Sequence, residues 1–244
     1  MINKKLLLII IPVIMTLLVP IILYAYNLNS VAFDETFYKK EFQKYNVYEN
    51  LKDYDVERIN NKVLNYLRYE KNEKLIDEDF FTKREKQHFL DVKNLFQGVF
   101  SGYYVSLALF LLLFIILFSL VNFNYKKITE KIFIILFFGS LLTLIDAFIF
   151  FILSNANFNF VFDNLHKIFF SIGTYTFNPV IEKIVVLYPE SLFFDVLIKI
   201  ITKTIFSSII ILFASYLVLF YFFKRNFFNF FSKFSDGKLT NRKL

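Results

Sequence analysis

The 244-residue chain is 57% hydrophobic and 21% aromatic, with 36 Phe, 15 Tyr and no Trp. Zero Cys excludes disulfides, thiol nucleophiles, iron–sulfur clusters and cysteine zinc sites, and only two His, His88 and His166, leave little for a His-based metal centre. A net charge of +7 raises nucleic acid as a partner, so the placement of the charges has to decide its meaning.

Leu6–Tyr24 is an uncharged run of nineteen residues, long enough to span a bilayer, for which about 20 apolar residues are needed. Pro12 and Pro20 are compatible with a lipid-embedded helix. A secretory signal is the alternative. The run is long for one, however, and Tyr24-Ala25-Tyr26-Asn27 is a poor cleavage site, so an uncleaved anchor is expected. Residues 25–102 are polar. Within them Val56, Ile59, Val63, Leu64 and Leu67 recur at helical spacing, predicting an amphipathic helix over Asp55–Arg68. A turn follows at Asp77–Phe81. Thr82-Lys83-Arg84-Glu85 reads as a capping box that starts a helix leading towards the second span, Tyr103–Val121, with Gly98 and Gly102 permitting a bend between them.

The third span, Ile132–Leu153, carries one charge, Asp146. Residues 154–204 are rich in aromatics that suit a membrane–water interface, among them Phe160, Phe162, Phe169, Phe170, Tyr175 and Phe177. Gly173, Pro179 and Pro189 break this stretch into short pieces. Asp195, Lys199 and Lys203 recur every four residues against Leu192, Val196 and Ile200. That predicts an amphipathic surface helix ahead of the fourth span, with an Asp195–Lys199 pair along it. The fourth span is Ile205–Phe223, and a basic tail follows.

The expectation is an all-α membrane protein with four transmembrane helices and two extracytoplasmic segments holding amphipathic or interfacial helices. Its parts are an N-terminal span (1–24), a helical segment (25–102), spans two and three with a short loop (103–153), an aromatic-rich segment (154–204), the last span (205–223) and the tail (224–244). Lys4 and Lys5, the cluster Lys126, Lys127 and Lys131, and six basic residues in the tail mark one side. The other two segments are balanced, with 13 basic against 14 acidic residues in 25–102 and four of each in 154–204. By the positive-inside rule both termini are cytoplasmic and both large segments lie outside. The +7 is then topology, and no basic face is left for nucleic acid.

His88 and Asp91, three apart, share a helix face, along with Arg84 and Leu95. His166 lies in the second outer segment, so one site can draw on both His. The plainer alternatives are an exposed helix His and an interfacial His. Arg84 and Lys93 are candidates for lipid phosphate or the peptide carboxyl side, or else solvated surface charges. Asp146 is either functional, as intramembrane acids tend to be, or bonded to another helix through Ser140 or Thr143. Glu190 after Pro189 reads as a helix N-terminal acid. HExxH and GxSxG motifs are absent, and the spans show no inverted repeat of the transporter kind.

Phe81-Thr82-Lys83-Arg84-Glu85-Lys86-Gln87-His88-Phe89-Leu90-Asp91-Val92-Lys93-Asn94-Leu95-Phe96 resembles the FTxRExxHMxDVKxLF signature of bacterial lipoprotein intramolecular transacylases. Leu165-His166-Lys167-Ile168-Phe169-Phe170 resembles that family's FHxIFF. Tyr175-Thr176-Phe177-Asn178-Pro179, Leu187-Tyr188-Pro189-Glu190 and Phe193-Phe194-Asp195 resemble its WxFDP, LxPE and FFxD. Tyr175 replaces Trp, Asn178 replaces Asp, and Leu165 replaces an aromatic. The resemblance spans roughly residues 1–223. It implies a multi-pass enzyme of the bacterial cytoplasmic membrane with no cofactor or metal. Its substrate would be a diacylglyceryl-cysteine lipoprotein, whose sn-2 acyl chain moves onto its own α-amino group to give a lyso-form lipoprotein. His88 and His166 would be catalytic, Asp91, Asp146 and Tyr175 supporting, and Arg84 and Lys93 substrate-binding. Membrane lipid is a further expected partner, and no motif specifies an oligomeric state. The competing class is a non-enzymatic membrane protein that binds lipid or a lipoprotein through its outer segments.

Overall fold

The computed structural model describes residues 3–69, 75–170 and 175–235. Gly173 and the end of the basic tail lie outside the described residues. Among them every regular element is a helix. In chain order these are α1 (Lys4–Ala32), α2 (Glu35–Lys44), α3 (Val47–Asn50), α4 (Val56–Arg68), α5 (Lys83–Leu120), α6 (Tyr125–Ala156), α7 (Phe158–Phe169), α8 (Ile184–Leu187) and α9 (Glu190–Ser235). Helices α1, α5, α6 and α9 are long and apolar enough to cross a membrane, as the four uncharged runs predict.

Three boundaries refine that expectation. Helix α1 runs on to Ala32, through the stretch weighed as a cleavage site. Helix α5 is one element of 38 residues, so the capping-box helix and the second span are continuous through Gly98 and Gly102. Helix α9 likewise carries the amphipathic segment straight into the fourth span. The separate surface helix expected before that span is therefore its first turns.

The chain forms two compact units. One comprises Met1–Ile21, Ala108–Ile145 and Ile205–Leu244 and holds most of the apolar helix length. Within it Gly139 faces Val19 so closely that an added Cβ would sit 2.6 Å from the Val19 Cβ. The turn between α5 and α6 uses left-handed Asn122 (φ 56°) and Phe123 (φ 53°). Asn124 then caps α6 by accepting from the Lys127 N–H at 3.0 Å.

The other unit comprises Ile22–Leu107 and Asp146–Thr204. Its core is a cluster of side chains from α2–α5, α8, the start of α9 and the turn before α5, including Phe42, Val47, Ile59, Val63, Phe81, Phe89, Leu187 and Leu192. The predicted α4 forms as expected. Asp55 caps it by accepting from the Arg58 N–H at 3.0 Å, and its apolar stripe is buried. Two buried polar groups satisfy each other across this core, where the Tyr188 hydroxyl donates to Asn60 Oδ1 at 2.8 Å.

The charges on the first turns of α9 do not pair with one another. Asp195 accepts from Lys44 and from the Tyr45 hydroxyl, and Lys199 reaches Asp34 at 3.0 Å. Lys203 donates to Ser30 Oγ at 2.8 Å. The i,i+4 spacing made an Asp195–Lys199 pair possible, but packing against α1 and α2 supplied other partners. Lys199 also lies 3.8 Å from the Phe37 ring centroid.

Candidate active site

The capping box at the start of α5 forms as read. The Thr82 hydroxyl accepts from the Glu85 N–H at 3.3 Å, and the Thr82 N–H donates to Glu85 Oε2 at 2.6 Å. Glu85 is fully buried, and its other oxygen accepts from the Ile184 N–H at 2.7 Å. One carboxylate thus starts the helix that carries His88 and ties it to the start of α8. His88 lies one turn further on. It precedes Tyr103, where the uncharged run begins, by fifteen residues and so lies outside the apolar span.

His88 is 7% exposed and is not the surface histidine of the plainer reading. Its ring packs on Phe170 (4.9 Å between centroids) and Phe177 (5.2 Å). Its Nδ1 is buried without a hydrogen-bond partner among the described residues. Burial, then the neighbouring His166 and Arg84, lower its pKa to about 4. It is therefore a neutral imidazole at physiological pH.

His166 is half-buried in the last turn of α7. Its Nδ1 is 2.8 Å from the Phe162 carbonyl oxygen. A carbonyl can only accept, so Nδ1 bears the hydrogen and the Nε2 lone pair stays available for chemistry. The ring is bordered by Phe162 (4.1 Å), Tyr175 (5.1 Å) and Phe170 (5.4 Å). The two imidazoles lie nearly parallel, 14° apart, with centroids 6.5 Å apart and no hydrogen bond between them.

The stretch 175–182 closes this arrangement on one side. Arg84, one turn before His88, donates to both Glu182 oxygens (3.2 and 3.4 Å) and to the Thr176 carbonyl, and it lies 5.0 Å from the Phe177 ring centroid. Glu182 is 3% exposed and also accepts from the Asn178 N–H at 2.8 Å. Asn178 Oδ1 accepts from the Val180 N–H at 3.0 Å, a contact that needs only an acceptor oxygen.

The structure brings His88, His166, Tyr175 and Arg84 together, but not every expected residue. Asp91 is half-buried on α5, and His88 Nδ1 has no partner among the described residues, Asp91 included. Lys93 is 5% exposed and lies 4.4 Å from the Tyr66 ring centroid. It lines a separate cavity of about 350 Å³ with Lys62, Asn65, Tyr69 and Asp77, so it is not a solvated surface charge. Asp146 is half-buried. Its expected partners do not bond it: Thr143 donates to the Gly139 carbonyl at 2.8 Å, and Ser140 Oγ has no partner among the described residues. Glu190 is the exposed first residue of α9, as a helix N-terminal acid should be.

Sequence reasoning missed Glu182. Its available signal was isolation, since it is the only acid between Asp163 and Glu190. Phe162, Phe170 and Phe177, read as interfacial aromatics, are the walls of the histidine site. Among the described residues no group of three or more His, Asp or Glu is arranged to hold a metal ion.

The fold is similar to that of solved structures. The membrane integral lipoprotein intramolecular transacylase Lit from Bacillus cereus superposes with a TM-score of 0.72 at 21% identity, covering 89% of this chain and 96% of that one. A form of the same protein with a His-to-Arg mutation gives 0.70 at 20% identity, covering 90% and 93%. A form with a His-to-Ala mutation gives 0.69 at 20% identity, covering 89% and 94%. No curated protein matches the sequence. The profile of the family described as "Lipoprotein intramolecular transacylase Lit" matches residues 13–194, most of the chain and both histidines. With its four apolar helices, the chain belongs to the lipoprotein intramolecular transacylases, a family of membrane enzymes.

Proposed function

We propose that the two-histidine site moves the sn-2 acyl chain of a diacylglyceryl-cysteine lipoprotein onto that cysteine's own α-amino group. The observation that carries this reading is the parallel pair of imidazoles 6.5 Å apart in an aromatic enclosure, one neutral by burial and one with its Nε2 lone pair free. The α-ammonium first loses one proton to water, and His166 Nε2 takes a second from the resulting amine as it attacks. The amine nitrogen forms a bond to the ester carbonyl carbon, and the carbon–oxygen bond to glycerol breaks. The glycerol oxygen receives the proton back from His166. An ester is consumed, an amide and a free glycerol hydroxyl are formed, and no co-reactant is required.

The α-amino group has an ordinary pKa near 7.7–8.0, so a neutral imidazole is a well-matched base for it. His88 is neutral and acts as a hydrogen-bond donor to the ester carbonyl, stabilising the oxyanion without carrying charge itself. Donor and acceptor belong to one molecule, so holding them together supplies much of the rate, with effective molarities of roughly 10⁵–10⁸ M in favourable cases. Tyr175 and Arg84 shape the enclosure. The lysine distribution supports cytoplasmic termini, which puts the histidines at the extracytoplasmic membrane surface, where the lipoprotein's lipidated cysteine resides.

The test is turnover of purified His88→Ala and His166→Ala proteins whose membrane insertion has been verified. Each is expected to lose at least a hundredfold of lyso-lipoprotein formation. Full activity in either variant removes that residue from the mechanism.

A further inference from the structure

Glu182 has no place in the acyl transfer just described, yet it is among the most buried charged groups beside the site. Its side chain is 4% exposed and meets an Arg84 guanidinium that is 47% exposed. A buried carboxylate is costly unless it is paired and hydrogen-bonded, and among the described residues the Glu182 carboxylate accepts from Arg84 with both oxygens and from the Asn178 amide. All of them fix the stretch that carries Tyr175 and Phe177. Those rings touch His166 and His88 respectively. Arg84 is itself one turn from His88 on α5. We propose that Glu182 is a positioning residue for the acyl transfer: through Arg84 it holds the Tyr175–Phe177 wall against the two imidazoles and cancels the guanidinium charge beside them. This rests on the two-histidine reading above.

The charge role follows from the substrate. The α-amino group arrives largely as an ammonium, and an uncompensated guanidinium at the site would repel it. The same guanidinium disfavours a proton on His88. Among the described residues the charged groups acting on His88 are His166 on α7 and Arg84 on its own helix; Asp91 lies one turn along that helix, Glu182 meets Arg84 and Tyr175 packs on His166. Of these, only Arg84 and Glu182 form an ion pair.

The chain has only two histidines, so imidazole NMR of the full-length protein in detergent resolves both without further substitution. Glu182→Gln keeps the shape and one acceptor but leaves Arg84 uncompensated, so the His88 titration moves to lower pH. Arg84→Gln removes the like charge, so it moves to higher pH. A purely structural role predicts the same direction for both, upward, because loosening the wall admits water to His88. Shifts in the same direction, or no shift in either variant, overturn the charge role. In turnover assays Glu182→Gln is expected to lower kcat/KM about tenfold, mainly through KM, and Glu182→Asp to recover part of it. Wild-type turnover by Glu182→Gln overturns the positioning role. If the wild-type protein itself forms no lyso-lipoprotein, the functional reading fails, while the NMR titration still reports on the ion pair.

Discussion

Glu85→Ala tests whether one buried carboxylate joins the catalytic helix to the wall of the site. Glu85 is fully buried and accepts from two backbone amides, Thr82 at 2.6 Å and Ile184 at 2.7 Å. Thr82 is exposed, so water replaces its bond and the loss is that of a helix cap, about 1 kcal/mol. Ile184 is buried, and its amide keeps no partner. Losing a bond to a charged acceptor there costs roughly 1.5–3 kcal/mol. The two together give about 3 kcal/mol or more, concentrated at the junction of α5 and α8. Amide hydrogen exchange in detergent reads this directly, because local opening made easier by 3 kcal/mol lowers protection more than a hundredfold. The Ile184 amide should show that loss, with the apolar parts of α6 and α9 unaffected. Glu85→Gln should fall between, since its amide accepts one N–H but turns a donor towards the other. Ile184 protection within threefold of wild type in folded Glu85→Ala would refute the reasoning.

Acid should destabilise the protein through His88. Its pKa is about 4 when folded against an ordinary 6.5, so the unfolded chain binds the proton first and stability falls as pH drops from 6.5 to 4. The loss approaches about 3 kcal/mol, and denaturation profiles of His88→Phe should be flatter in that window. Gly139→Ala would place a Cβ 2.6 Å from the Val19 Cβ, so yield and melting temperature should drop and be partly restored by Val19→Gly, which removes that Cβ. Asp195→Asn should lower the Glu41 carboxyl pKa, which burial and then the neighbouring Asp195 carboxyl raise; carbon-detected NMR of the Glu side chains reads the direction.

The four spans were legible because a bilayer demands long uncharged runs and little else in a soluble domain produces them. The α4 stripe and the Thr82–Glu85 box were legible because helix periodicity and capping are local. Partners distant in sequence were not. Asp195 and Lys199 are correctly spaced for each other, yet they bond Lys44 and Asp34, more than 150 residues away. Lys93 looks like any surface lysine until Tyr66 of α4 covers it. The two histidines were identified by resemblance, whereas their parallel approach depends on how α7 returns to α5. The Arg84–Glu182 pair, 98 residues apart, depends on the same return.

The central claim is intramolecular acyl transfer by the histidine pair. The product has the same mass as the substrate, so tandem mass spectrometry of the lipidated N-terminal peptide is the decisive measurement. With wild-type protein, the acyl group should leave the glyceryl fragment and appear on the N-terminal amine fragment at unchanged total mass, and His166→Ala should leave it on glycerol. An acyl group still on glycerol with the wild-type protein, or transfer undiminished in His166→Ala, would contradict the account.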